Sequence, residues 1–360
     1  MQSNRTLTNR RIDDIRPLIT PAELRAQLPL TAGMEETVLA GRQTVAAILE
    51  GSDDRLLLIT GPCSVHDPVA ALDYAHRLRE VAERVGDDIV VVMRVYFEKP
   101  RTTLGWKGLI NDPGLDESFR VNDGLAAARA LLLQVLNLGL PVGCEFLDPI
   151  TPQYIADAVS WGAIGARTSQ SQIHRQLASG LSMPVGFKNS IEGDVQGAID
   201  AVAASASAQV FPGVTDEGQV ALFSTSGNAE CHVVLRGSAA GPNYNTDSLR
   251  DTQARLTRAG LPHRVVVDAS HGNSGKDHRR QAAVVADVAE RVTEGEDAVA
   301  GLMLESFLVP GRQDLVSGRA GDLTYGQSIT DACIGWDETV TLVDQLAASV
   351  ARRRQLMGVG

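Results

Sequence analysis

The stretch Ile89-Val90-Val91-Val92-Met93-Arg94-Val95-Tyr96-Phe97-Glu98-Lys99-Pro100-Arg101-Thr102-Thr103-Leu104-Gly105-Trp106-Lys107 decides how the rest of the chain is read. Its first five residues form an apolar run rich in β-branched side chains, the pattern of a strand buried on both faces. The polar part that follows is unusual. Arg94, Lys99, Arg101 and Lys107 are opposed only by Glu98, and Thr102 and Thr103 add hydroxyls. Cations gathered just past the end of a buried strand suit a small anionic ligand, because arginine grips phosphate or carboxylate with two donors and lysine adds a point charge. A solvated basic loop is the alternative. Pro100 and Trp106 argue for a shaped loop instead, one by stiffness and the other by its large apolar ring.

The same unit, a short apolar strand, a polar loop and then a helix, recurs along the chain. Strands are expected at Leu56 to Ile59, Ile89 to Val95, Pro141 to Phe146, Ala163 to Arg167 and Pro184 to Lys188. Further strands are expected at His232 to Arg236, Arg264 to Asp268 and Ala300 to Glu305. Helices fill most of the intervals, one of them starting near Pro152, and a last helix runs from about Asp337 to Arg352. Eight βα units in succession predict a (β/α)8 TIM barrel, an α/β fold; an open doubly wound sheet is the competitor. Gln209 to Val214 and Gln219 to Ser224, around Asp216-Glu217-Gly218, predict a β-hairpin inserted at about 209–225, before the sixth barrel strand. The barrel domain then occupies 51–355. Residues 1–50 are expected to form an N-terminal extension, an oligomer or regulatory contact, in which Pro17, Pro21 and Pro29 break a helix-prone chain into short pieces.

Composition narrows the class. The chain has 360 residues, 44% hydrophobic and 21% charged, with a net charge of -11, which is enough apolar material for a large core. The acidic balance argues against nucleic acid as a partner. Cys63, Cys144, Cys231 and Cys333 lie far apart without a CxxC, so a reduced compartment is expected rather than a disulfide framework. The segment Met1-Gln2-Ser3-Asn4-Arg5 lacks an apolar leader core, and no run approaches the length of a membrane span, so the expected location is cytoplasmic.

In a (β/α)8 barrel every strand end opens onto one face. In chain order those ends carry Cys63, then Arg94 with Lys99 and Arg101, Glu145, Arg167, Lys188, Arg236, His271 and Glu305. One such residue means little; eight of eight on one face is hard to obtain by chance. Six of them are cations, sufficient for two phosphorylated substrates, one also a carboxylate. Cys63, His271, Glu305 and Asp331 make a second set, in which a thiolate, an imidazole and carboxylates suit a divalent transition metal. A buried structural Cys63 and a surface His271 remain the alternatives. Gly61-Pro62-Cys63-Ser64 and Asp268-Ala269-Ser270-His271-Gly272-Asn273-Ser274 are tight small-residue loops whose backbone N–H groups can approach a phosphate.

Several motifs, in register, resemble one family. Residues 61–68 (Gly-Pro-Cys-Ser-Val-His-Asp-Pro), Lys99-Pro100-Arg101-Thr102, Gly162-Ala163-Ile164-Gly165-Ala166-Arg167-Thr168, Gly186-Phe187-Lys188-Asn189 and Ser328-Ile329-Thr330-Asp331-Ala332-Cys333 closely resemble class I, enterobacterial and yeast-type 3-deoxy-D-arabino-heptulosonate 7-phosphate (DAHP) synthases. The resemblance implies a transferase that condenses phosphoenolpyruvate with erythrose 4-phosphate, the first step of the shikimate pathway, as a homodimer or homotetramer with one divalent metal ion (Mn, Fe, Co or Zn). Carried over by position, Cys63, His271, Glu305 and Asp331 would hold the metal. Arg94, Lys99, Arg167, Lys188 and Arg236, with the backbone of Gly165 and Ala166, would hold phosphoenolpyruvate; Pro100, Arg101 and Thr102 would serve the tetrose phosphate. Lys99, Glu145 and His271 would carry the chemistry, Glu145 near the adding water and Lys99 as proton donor.

The resemblance also implies inhibition by an aromatic amino acid at a separate site containing Pro152, Gln153 and Ser182. Pro149, Gly213, Phe223 and the pair Thr8-Asn9 depart from the Phe-sensitive pattern, so inhibition by Phe is expected to be weak or absent, with altered specificity toward Tyr or Trp as the alternative. Lys99-Pro100-Arg101-Thr102 speaks against the related synthase that uses arabinose 5-phosphate, which typically has Asn before the Arg. A non-catalytic sensor barrel should have lost ligands, and none of these positions is lost.

Overall fold

The computed structural model describes residues 7–358. Two helices precede the first strand: α1 (Pro21–Gln27) and α2 (Ala32–Glu50). The side chain of Thr20 caps α1 and Glu23 reaches back to the cap, a reciprocal pair that satisfies two orphan N–H groups. The interval free of proline after Pro29 lets α2 run for 19 residues, longer than the short pieces expected, until Gly51 ends it with φ 86°.

The barrel strands and helices then alternate: β1 (Leu56–Gly61), α3 (Pro68–Val85), β2 (Ile89–Arg94), α4 (Val121–Asn137), β3 (Val142–Glu145), α5 (Pro152–Ile155) and β4 (Trp161–Ile164). They continue as α6 (Gln172–Gly180), β5 (Val185–Lys188) and α7 (Gln196–Ser205), followed by the antiparallel hairpin β6 (Val210–Val214) and β7 (Val220–Ser224). The last units are β8 (His232–Leu235), α8 (Thr246–Arg258), β9 (Val265–Asp268), α9 (Gln281–Thr293) and β10 (Val299–Glu305). Two short strands, β11 (Val309–Arg312) and β12 (Gln327–Ser328), pair in parallel after the barrel, and α10 (Trp336–Met357) completes the chain. The order β1-β10-β9-β8-β5-β4-β3-β2 closes on itself with every pairing parallel, so the eight-stranded barrel expected from the alternation is the fold.

One strand boundary is corrected, and two further local features differ from an ordinary βα unit. The helix after β3 is a single α-turn followed by a 3-10 turn (Ala156–Ala158), because the chain has only 15 residues between Glu145 and Trp161 and spends six of them on a loop. β4 begins two residues earlier than expected, since Trp161 and Gly162 pair with Gly143 and Cys144; Gly165, Ala166 and Arg167 therefore lie in the loop. The β11–β12 pair had no apolar run to announce it.

Two packing layers hold the frame. Outside the strands, the helix faces form one continuous core. Inside, Leu57, Ile59, Val90, Val92, Trp161, Ala163, Val234, Val266, Ala300 and Met303 pack with Val45, Ile48 and Leu49 of α2. Several of these sit near the starts of their strands, so α2 plugs the N-terminal mouth of the barrel and leaves polar residues to the opposite mouth. No helix among the described residues is long and apolar enough to cross a membrane.

Candidate active site

At the C-terminal ends of the strands the two sets of residues separated by composition are interleaved. Ligand atoms of Cys63, Glu305 and Asp331 all lie within 4.8 Å of one another. Lys99 Nζ sits against them, donating to Cys63 Sγ at 2.7 Å and to Asp331 Oδ2 at 3.3 Å. Burial pushes the Cys63 thiol up to about 12, Glu305 adding to the effect and Lys99 opposing it. Lys99 holds the Asp331 carboxyl well below the usual carboxylate range.

His271 stands at the edge of this group. Its Nε2 is 3.8 Å from Glu305 Oε1, while its Nδ1 faces Asp268 Oδ2 at 2.9 Å and Ser270 Oγ at 2.7 Å. The residue adopts φ 54°, a left-handed conformation a non-glycine residue takes only under constraint, and one that often marks functional sites. With one ring nitrogen fixed from behind, the other is left to face the carboxylate, the arrangement typical of a ligating histidine. A soft sulfur, two carboxylates and an oriented imidazole beside a resident ammonium form a donor set that fits one divalent transition metal.

Asp268 was not singled out from the sequence. It is fully buried and accepts from Lys188 Nζ at 2.9 Å and from Ser270 Oγ at 2.6 Å, besides facing His271. Although burial opposes ionisation, Lys188 and His271 hold its carboxyl well below the ordinary range. The available signal was an aspartate at a strand end, three residues before a candidate histidine ligand.

The six cations are not equivalent. Arg94 is 1% exposed and spent on the protein: it pairs with Glu305 at 3.0 Å, donates to the carbonyls of Pro62 and Cys63, and lies 3.6 Å from the Tyr96 ring centroid. Lys99 and Lys188 are likewise paired with anions. Arg101, Arg167 and Arg236 form no ion pair among the described residues. Arg236 is buried, which lowers its pKa, and Asn189 fixes the Arg236 backbone by accepting its N–H at 2.8 Å. Arg167 and Arg101 are exposed, and Arg167 donates to Thr102 Oγ1 at 3.1 Å, joining the loop after β4 to the loop after β2. Pro100 lies half-buried between Lys99 and Arg101.

Glu145 is buried, and its Oε1 would lie 2.1 Å from a Cβ at position 165, so only glycine admits the carboxylate there. Gly165 and Ala166 turn immediately beyond it, where Thr168 N–H bonds back to the Gly165 carbonyl.

Pro152, Gln153, Ser182, Gly213 and Phe223 line a separate cavity of about 1190 Å³, together with Arg25. Arg25 spans it, bonding Asp216 at the hairpin tip and the Gln153 carbonyl. Phe223 stacks on Phe211 with ring centroids 6.0 Å apart, and a Cβ at position 213 would approach Phe223 to 2.8 Å. The two hairpin departures thus compensate: the ring takes the space a side chain at 213 would need. Thr8 and Asn9 are exposed.

Comparison with known proteins agrees with this geometry. Residues 30–344 match the DAHP synthetase I family. The chain is 53% identical over 344 residues to the Phe-sensitive phospho-2-dehydro-3-deoxyheptonate aldolase of Escherichia coli K12, covering 96% of this chain and 97% of that one. It is 50% identical over 360 residues to the phospho-2-dehydro-3-deoxyheptonate aldolase of Corynebacterium glutamicum, covering 98% and 97%. The solved phospho-2-dehydro-3-deoxyheptonate aldolase of Francisella tularensis superimposes with a TM-score of 0.93 at 48% identity, over 95% of this chain and 99% of that one. With the fold, the matched span and these relatives in agreement, the chain is an enzyme that belongs to the DAHP synthetase I family.

Proposed function

We propose that this enzyme condenses phosphoenolpyruvate with D-erythrose 4-phosphate and water, giving 3-deoxy-D-arabino-heptulosonate 7-phosphate and inorganic phosphate, at the entry to the shikimate pathway. The observation that carries the reading is the meeting of a Cys63-Glu305-Asp331 donor cluster with Lys99, Arg94, Lys188 and Arg236 at one barrel mouth. One divalent ion bound by Cys63, His271, Glu305 and Asp331 would supply Lewis-acid polarisation of the tetrose aldehyde.

The protein groups divide the remaining work. Arg167, Lys188 and Arg236, supported by Arg94 and the backbone at Gly165 and Ala166, hold the phosphate and carboxylate of phosphoenolpyruvate. Pro100, Arg101 and Thr102 hold the tetrose phosphate. C3 of phosphoenolpyruvate attacks the aldehyde carbon, and Lys99 gives a proton to the new alkoxide. Water adds at C2 as Glu145 takes its proton; the C–O bond to phosphate then breaks among the cations, the departing phosphate taking the proton of the C2 hydroxyl, which leaves a ketone. Cys63 and Asp331, the two side chains to which Lys99 now donates, would be occupied by the ion, leaving the Lys99 ammonium to face the substrates. His271, 3.8 Å from Glu305, would act as one of the residues that hold the ion.

The N-terminal 50 residues, through the contacts of α1 with the hairpin, serve regulation and assembly into a homodimer or homotetramer, in the cytoplasm. Neither nucleic acid nor membrane is a partner. The deciding experiment measures phosphate release from phosphoenolpyruvate with erythrose 4-phosphate, with and without chelator, against arabinose 5-phosphate as control. No release with the tetrose, or preference for the pentose, would sink the reading.

A further inference from the structure

Glu98 lies between the buried Phe97 and Lys99 and takes no part in the chemistry above, yet it is 2% exposed. Its carboxylate accepts three hydrogen bonds, all from the loop after β3: from Asp148 N–H at 3.3 Å, Leu147 N–H at 3.4 Å and Thr151 Oγ1 at 2.9 Å. Burial pushes its carboxyl up to about 8, with Asp148 adding and the Thr151 hydroxyl opposing. A buried carboxyl group is costly unless its polar atoms find partners, and the three donors of the β3 loop supply them.

The position explains what is gained. The excursion 99–107 closes at its base through Lys99 N–H to the Lys107 carbonyl, and residues 101–105 beyond it are exposed. Lys99 has its own anchors in Cys63 and Asp331. Arg101 and Thr102 have one side-chain tie to the barrel among the described residues, the bond from Arg167 to Thr102. The next fixed point back along the chain from Lys99 is the Glu98 carboxylate, which ties the base of the excursion to the β3 loop.

We propose that Glu98 is a positioning residue for the tetrose phosphate: by latching the loop after β2 to the loop after β3, it sets where Arg101 and Thr102 stand. The same β3 loop, with the start of α5, contributes Pro149, Ile150, Pro152 and Gln153 to the wall of the 1190 Å³ cavity, so the latch joins that wall to the sugar-phosphate side of the site. The inference rests on the proposed condensation.

Its test is steady-state kinetics of Glu98→Ala, Glu98→Gln and Thr151→Val with each substrate varied in turn. Glu98→Ala should raise KM for erythrose 4-phosphate tenfold or more and KM for phosphoenolpyruvate less than threefold. Glu98→Gln keeps an acceptor and should recover most of that loss. Thr151→Val, which removes one partner without touching the loop of Lys99, should raise the tetrose KM about threefold and leave the other unchanged. Unchanged kinetics in Glu98→Ala would overturn the inference, as would equal damage to both substrates with no recovery in Glu98→Gln, the mark of a merely structural carboxylate. Should Glu98→Ala fail to fold, the same KM split in Thr151→Val decides the matter, and its absence refutes the latch. Wild-type enzyme that does not consume the tetrose would instead refute the proposed function itself.

Discussion

Replacing Asp268 by Asn should damage stability and metal binding together, because one buried carboxylate serves both. Asp268 faces Lys188 Nζ and His271 Nδ1, each at 2.9 Å, and is fully buried. Asn preserves shape and one acceptor but removes the charge, leaving the buried Lys188 ammonium without its counter-ion. Breaking a buried pair from one side costs about 3–5 kcal/mol; the acceptor that Asn retains argues for the lower end, about 3 kcal/mol. With an unfolding entropy of about 2.1 cal/mol/K per residue, that is a fall in Tm of roughly 4 °C for a chain of this size. Because the amide no longer holds His271 Nδ1 as an anion does, affinity for Mn2+ should fall about 10- to 100-fold, read by calorimetric titration. The pH dependence has a definite sign. The folded carboxyl titrates well below its ordinary value, so its contribution is present above about pH 4 and lost as pH falls further toward the folded pKa. The stability gap between wild type and Asp268→Asn should therefore be constant from neutral pH to about pH 5 and shrink below about 4. A Tm within 1 °C of wild type and unchanged Mn2+ affinity would refute the reasoning.

Chelation should abolish turnover, with Mn, Fe, Co or Zn restoring it to different extents, and Cys63→Ala should stay inactive with metal in excess. Because the thiol is pushed up to about 12 in the free site, metal loading should expel about one proton and weaken as pH falls, which titration in buffers of different ionisation enthalpy will read. Arg167→Ala should chiefly weaken phosphoenolpyruvate and Arg101→Ala chiefly the tetrose, by about 1.5–3 kcal/mol, roughly ten- to a hundred-fold; equal damage to both from each variant would point to one undivided anion pocket. Phe should inhibit weakly or not at all, because Phe223 stacked on Phe211 occupies part of the cavity wall; titrating Phe, Tyr and Trp separately checks this, and inhibition by Phe at low micromolar concentration would contradict it.

The barrel was legible because most strands are short buried apolar runs with their ionisable residues at the C-terminal end; β8, which begins with buried His232, departs from this. In β1, β2 and β10 every position is buried, and apart from Thr60 the residues before the last one or two positions are apolar or glycine. Boundaries failed where glycine and tryptophan carried the strand, as in β4, since neither registers as a β-branched run. The site was legible as a set of residue types at strand ends, but not as a set of pairs. Composition sorted it into cations for substrate and ligands for metal. The folded chain instead pairs Arg94 with Glu305, 211 residues away, and Lys99 with Asp331, 232 residues away, while Lys188 pairs with Asp268 across 80. No local pattern encodes such partners, because barrel closure alone brings β1 beside β10. The consequence is chemical. A site that by composition offers six free cations has, among the described residues, three outside ion pairs, Arg101, Arg167 and Arg236, and the other three are held by the acidic groups that also form or support the donor cluster. Charge on a substrate and charge on an ion are therefore felt by the same carboxylates. Loading the cluster must loosen Lys99, and binding a phosphate must pull on the Arg and Lys partners of Glu305 and Asp268. Metal and phosphoenolpyruvate should accordingly bind with mutual dependence, transmitted through contacts no longer than 3.3 Å.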